Sequence, residues 1–147
     1  MGEALLSFVH LSAILGWVVF ASAQSALCRI DWLNVAAVRR LARLDAVSWL
    51  ATAAVLLTGL ARVVWGAKGT WYWHNPLLWL KLASFICAAL LLAAAGRRYR
   101  RWQARLNAGG ELPLAADVHA ARLLVMIATH LVAVIPLAAV FMARGYG

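Results

Sequence analysis

The sequence predicts an all-α fold, a four-transmembrane-helix bundle with both termini on the outer side and a short amphipathic helix before the second span. Three observations carry that prediction. Of 147 residues, 65% are hydrophobic and only 13% charged, against about 45–50% and 25% in soluble domains. The apolar residues gather into four long stretches. The net charge of +9 sits mostly in the connections between alternate stretches. This composition excludes a disordered chain, a nucleic-acid-binding arm and most soluble enzymes, and it implies solvation by lipid. No nucleic-acid partner is expected.

The whole chain, 1–147, reads as one integral membrane domain with spans near 4–28, 44–66, 76–97 and 119–143. The first carries no formal charge from Ala4 to Cys28. It is too long, and too poor in positive charge at its start, for a cleaved signal peptide. The second is charge-free from Ala46 to Ala61 and extends past Arg62. The third is interrupted by Lys81 alone, and the fourth is charge-free from Leu123 to Ala143. About 20 residues of helix cross a ~30 Å hydrocarbon layer. Backbone groups in lipid must pair within the segment, so these stretches are helices.

The connections set an expected orientation. The first holds Arg29, Arg39, Arg40 and Arg43, and the third Arg97, Arg98, Arg100, Arg101 and Arg105. The second holds Lys68 alone. Positive-inside logic places the arginine-rich connections in the cytoplasm and both termini outside. Trp71-Tyr72-Trp73, flanked by Trp65 and Trp79, reads as an outer aromatic belt. Asn34 to Leu44 sets Val35, Val38 and Leu41 against arginines and reads as a short amphipathic helix. Asn107 to Pro113 reads as a loop, with Asp117 capping the last helix.

Ionisable groups inside a membrane are costly and therefore point to function or pairing. His10, Trp17 and Gln24 form one stripe on the first helix, and Asp45, Ser48, Thr52, Gly59 and Arg62 form one on the second. Lys81, Ser84 and Ala88 do the same on the third, and His119, Arg122, Met126, Thr129 and His130 on the fourth. Small residues and hydroxyls at such positions also serve as ordinary bundle contacts. By depth, His10, Arg62, His74 and Lys81 gather towards the outer leaflet, with His130 beneath them.

That set matches a b-type haem site. His10 and His130 are the candidate axial ligands of the haem iron, and Met126 a weaker one. Arg62 and Lys81 are the candidate partners of the two propionates. The competing reading makes His10 a histidine bonded to a carbonyl or hydroxyl across the bundle, and lets Arg62 and Lys81 snorkel to the interface. His74 reads as an interfacial loop residue, and His119 as a partner of Asp117 or of lipid phosphate.

Ala42-Arg43-Leu44-Asp45-Ala46, Thr58-Gly59-Leu60-Ala61-Arg62-Val63 and Asn75-Pro76-Leu77-Leu78-Trp79-Leu80-Lys81-Leu82 resemble an uncharacterised family of small bacterial four-helix membrane proteins. The closing Met142-Ala143-Arg144-Gly145-Tyr146-Gly147 is the most specific element of that resemblance. The resemblance covers nearly the whole chain and implies a multi-pass protein of the bacterial inner (cytoplasmic) membrane. More distantly, His10…Trp17 and Trp79-x-Lys81-Leu82 are similar to the HemJ type of protoporphyrinogen oxidase and to the CopD domain of copper-resistance proteins. HemJ-type proteins bind haem b and depend on a first-helix His and a third-helix Lys, positions that His10 and Lys81 take by resemblance. Three functions follow as expectations. The first is a haem b protein with an electron-transfer or oxidoreductase role, served by a quinone or a redox partner protein. The second is a non-catalytic accessory subunit of a larger membrane complex, and the third a small transporter. A homodimer is compatible with each.

Overall fold

The computed structural model describes residues 2–65 and 71–146. Lys68 and the rest of 66–70 lie outside the described residues, as do the side chains of the belt residues Trp71 and Tyr72. The described residues form helices α1 (Gly2–Leu27), α2 (Val35–Trp65), α3 (Trp71–His74), α4 (Pro76–Asn107) and α5 (Ala115–Ala143), with a 3-10 turn at Ile30–Trp32. The four long helices are each long and apolar enough to cross a membrane. They alternate in direction. α1 packs mainly on α2 and α4 mainly on α5, while α2–α4 and α1–α5 contacts close the bundle.

The expected short amphipathic helix is not a separate element; it is the first third of α2. Asn34 starts this helix, its side-chain oxygen accepting from the Ala37 amide at 2.9 Å. No Gly or Pro then interrupts the chain before Gly59, so the i→i−4 ladder runs through the junction. At 1.5 Å per residue, α2 and α4 are each well over 40 Å long, more than the ~30 Å hydrocarbon layer requires. Their excess lies at one end of the bundle, where α2 begins and α4 finishes. Val38, Leu41, Tyr99, Trp102, Val118 and Ala121 pack a dense core there.

At the opposite end, α4 starts from Asn75, whose side chain accepts from the Leu77 amide at 2.8 Å, followed by Pro76 at the first helical position. Pro is tolerated there because its missing N–H would have no partner in the helix. α5 starts at Ala115 after Leu114, which makes no side-chain cap. Asp117 lies inside the first turn and is not the cap, although its charge still complements the helix N-terminus. α5 ends through Gly145, whose φ of +86° favours glycine. The Tyr146 amide then turns back to the Phe141 carbonyl at 3.2 Å.

Three of the four expected polar stripes face the bundle interior. His10, Trp17 and Gln24 on α1 are buried, as are Asp45, Ser48 and Thr52 on α2 and Ser84 and Ala88 on α4. On α5 the buried stripe is instead Val118, Ala121, Val125, Ala128, Val132, Ile135, Ala138 and Met142. His119, Met126 and His130 lie on its exposed side. A seam of Ala and Val lets α5 approach its neighbours closely, and van der Waals packing drives helix association in lipid.

Candidate functional site

A cavity of about 430 Å³ opens between the helices at the end where α2 finishes and α4 begins. All four long helices contribute to it. His10 and Trp17 come from α1, Gly59 and Arg62 from α2, Lys81 and Phe85 from α4, and Ile135 and Met142 from α5, with Trp73 of α3 at the side. Its walls are mainly apolar and aromatic. Trp17 and Phe85 touch with ring centroids 5.1 Å apart.

His10 is fixed within this cavity. Its Nδ1 lies 2.8 Å from Thr58 Oγ1. The Thr58 hydroxyl donates its single proton to the Ala54 carbonyl at 2.6 Å, the back-bond a helical Thr commonly makes. Thr58 Oγ1 therefore accepts from the imidazole, and Nδ1 is the protonated nitrogen. In the neutral ring this leaves the lone pair on Nε2. Gly59 supplies the room, since a Cβ at that position would stand 3.2 Å from His10 Cε1.

Arg62 and Lys81 line the same cavity, within electrostatic reach of His10. Among the described residues no carboxylate lines it. Neither cation forms an ion pair among the described residues. Two positive charges in a largely apolar cavity thus have no negative partner from the described chain. The rim is tied to the end of the chain, because Asn75 Nδ2 donates to the Tyr146 carbonyl at 3.2 Å. Trp79 Nε1 donates to the Trp73 carbonyl at 3.1 Å, holding the two indoles at a tilt of 53° beside the opening.

His130 is not brought to this cavity. It lies on the exposed side of α5, its Nδ1 donating to the Met126 carbonyl of its own helix at 2.7 Å. The expected pair of imidazoles therefore does not face a common space, and Met126 also points away from the interior. His74 is exposed on α3. The structure unites His10, Arg62 and Lys81 and adds Thr58, Gly59, Trp73 and Met142, which the sequence had not marked as one set. A signal for Thr58 exists in hindsight. It is the hydroxyl nearest in depth to His10 on the antiparallel neighbour.

A second buried polar group lies towards the arginine-rich end. The Asp45 carboxylate is enclosed against Gly96 and receives a hydrogen bond from Arg100, whose guanidinium is half exposed. Nearby, the wholly buried Gln24 side chain has no hydrogen-bond partner among the described residues. This arrangement pins α2 to α4 and is separate from the cavity.

No curated protein and no solved structure matches the chain. A family of membrane proteins matches it over residues 2–147. Full-length agreement with that family, together with four helices able to span a bilayer, makes this a multi-pass membrane protein. The chain belongs to the family described as predicted membrane protein (DUF2214).

Proposed function

We propose that the protein binds an anionic, largely apolar ligand in the cavity at His10, and that this ligand is haem b. The observation that carries the ligand class is the pair Arg62 and Lys81, two cations in an apolar cavity that no carboxylate lines among the described residues. Charges at such depth are stable only when paired or hydrated. The two haem propionates would supply the missing negative charge. The observation that favours haem over other anions is the anchored imidazole. A metal-ligating His generally donates its second ring N–H to a fixed acceptor, which sets the tautomer and the ring plane. His10 does this through Thr58. Phe85 and Trp79 offer flat apolar surface for a macrocycle.

His10 would be the one imidazole ligand to the iron, with Arg62 and Lys81 on the propionates. His130 has no place in this proposal. Met142, which also lines the cavity, would be a further side chain able to hold the iron. Bound haem would supply one-electron chemistry, consistent with electron transfer or an oxidoreductase exchanging electrons with a quinone or partner protein. The similarity of His10 and Lys81 to the HemJ-type positions supports the same reading.

The test is titration of haem into the detergent-purified protein, followed by Soret absorbance. The wild type should bind one equivalent. Arg62→Gln with Lys81→Gln should weaken binding by at least about tenfold, a modest share of what two desolvated ion pairs contribute. A wild type that binds no haem would contradict the proposal. If that protein also co-purified with a larger assembly, the accessory-subunit reading would take its place.

A further inference from the structure

An open surface groove lies at the arginine-rich end of the bundle, on the outside of the α1–α2 pair, with a volume of about 490 Å³. It arises where α1 ends and the chain turns through Ile30–Trp32 into α2. Ala23 and Ala26 of α1 are too small to fill the space beside α2, and Val47 forms the facing wall. Arg40 and Arg43, three residues apart and so on one face of α2, stand at the rim with Trp32.

The charge at this rim is unbalanced. Arg29 is engaged by Asp31 at 3.7 Å and lies 5.2 Å over the Trp32 ring. Arg40 and Arg43 have neither an ion pair nor a side-chain hydrogen bond among the described residues. Among the described residues no carboxylate lines the groove.

The order of these groups along the bundle axis is informative. Val47 lies one turn beyond Arg43, about 6 Å further into the bundle. Ala23 lies about 4.5 Å further in than Ala26 on α1. Cations and an indole therefore stand at the mouth, and an apolar channel runs from them towards the membrane centre. Guanidinium groups match phosphate oxygens in a two-point fashion. An exposed Trp belongs at the headgroup level.

We infer that this groove is a specific site for one acidic phospholipid, its phosphate on Arg40 and Arg43 and an acyl chain along Ala23, Ala26 and Val47. The site is independent of the His10 cavity. The depth order separates this occupant from a free phosphate, which would leave the apolar channel unused. Specificity here differs from the general attraction between a basic protein end and anionic lipid, because it needs both the two arginines and the open channel.

The experiment is native mass spectrometry of the full chain in mixed micelles of detergent, phosphatidylglycerol and phosphatidylcholine. The wild type should retain one phosphatidylglycerol in preference to phosphatidylcholine. Arg40→Gln with Arg43→Gln should weaken that retention by about thirtyfold, the combined effect of two interfacial arginines. Arg97→Gln with Arg101→Gln, an equal charge change on exposed positions of α4, should leave it unchanged. Ala26→Trp, which fills the channel and keeps both arginines, should also lose the lipid. Equal loss in the two arginine pairs would overturn the inference in favour of a diffuse basic belt. Retention by Ala26→Trp, or displacement by millimolar inorganic phosphate, would overturn it as well.

Discussion

Gly96 leaves the space that the Asp45 carboxylate fills, and a Cβ there would overlap the carboxylate itself. Asp45 is buried and its only charged partner among the described residues is Arg100, so it has little freedom to retreat. Gly96→Ala should therefore destabilise the protein by about 1–3 kcal/mol, the usual cost of overpacking. In an Asp45→Ala background the same change should cost almost nothing. Thermal unfolding in detergent of the two single variants and the double variant checks this coupling. An equal cost of Gly96→Ala in both backgrounds would show that the obstruction is not the carboxylate. His10 is defined at the same scale by one hydroxyl. The sequence could mark the histidine as costly and allow a bond to a hydroxyl across the bundle. It could not say that Thr58 was the partner, because the register between α1 and α2 depends on how the connecting turn folds.

At the scale of the element, α2 shows what local pattern misses. The change from an arginine-rich face to an apolar run near Leu44 resembles a boundary between two helices, but helices end at breakers and caps rather than at changes of polarity. Ala42→Pro tests the continuity. Within one uninterrupted helix it should cost about 3 kcal/mol or more, read as a marked fall in the unfolding temperature. A hinge between two helices would accept it with little loss. α5 shows a second reason for misreading. In water the polar face of a helix lies outside, and within a bundle in lipid it usually turns inward, as it does on α1, α2 and α4. On α5 the interior is a seam of Ala and Val, and His130 is satisfied by its own helix carbonyl. Polarity therefore did not identify the inward face. The spacing of Ala121, Val125, Ala128 and Val132 does, because close helix approach in lipid selects small and branched residues.

Across the whole molecule, the number of spanning helices and their alternation were legible from length and charge alone, since both follow from the thickness of the bilayer and the cost of unpaired backbone groups. The meeting of His10, Arg62 and Lys81 was legible as a shared depth, because each lies a few residues inside one end of its helix. The exclusion of His130 was not, because depth says nothing about which side of α5 it occupies. The arginine-rich end, built from the start of α2 and the end of α4, is expected in the cytoplasm. In a protein lacking its native cysteines, Thr70→Cys should then react with an impermeant thiol reagent from outside, and Asn107→Cys only after the membrane is opened. Reaction of both from the same side would contradict this topology. The proposed haem site rests on one anchored imidazole, and not on a pair. Its most direct measurement is the haem content of protein purified from haem-replete cells, compared between wild type, His10→Ala and His130→Ala. A Soret band is expected in the wild type and in His130→Ala, and its loss in His10→Ala. A wild type without a Soret band, or loss of the band on His130→Ala with retention on His10→Ala, would contradict it.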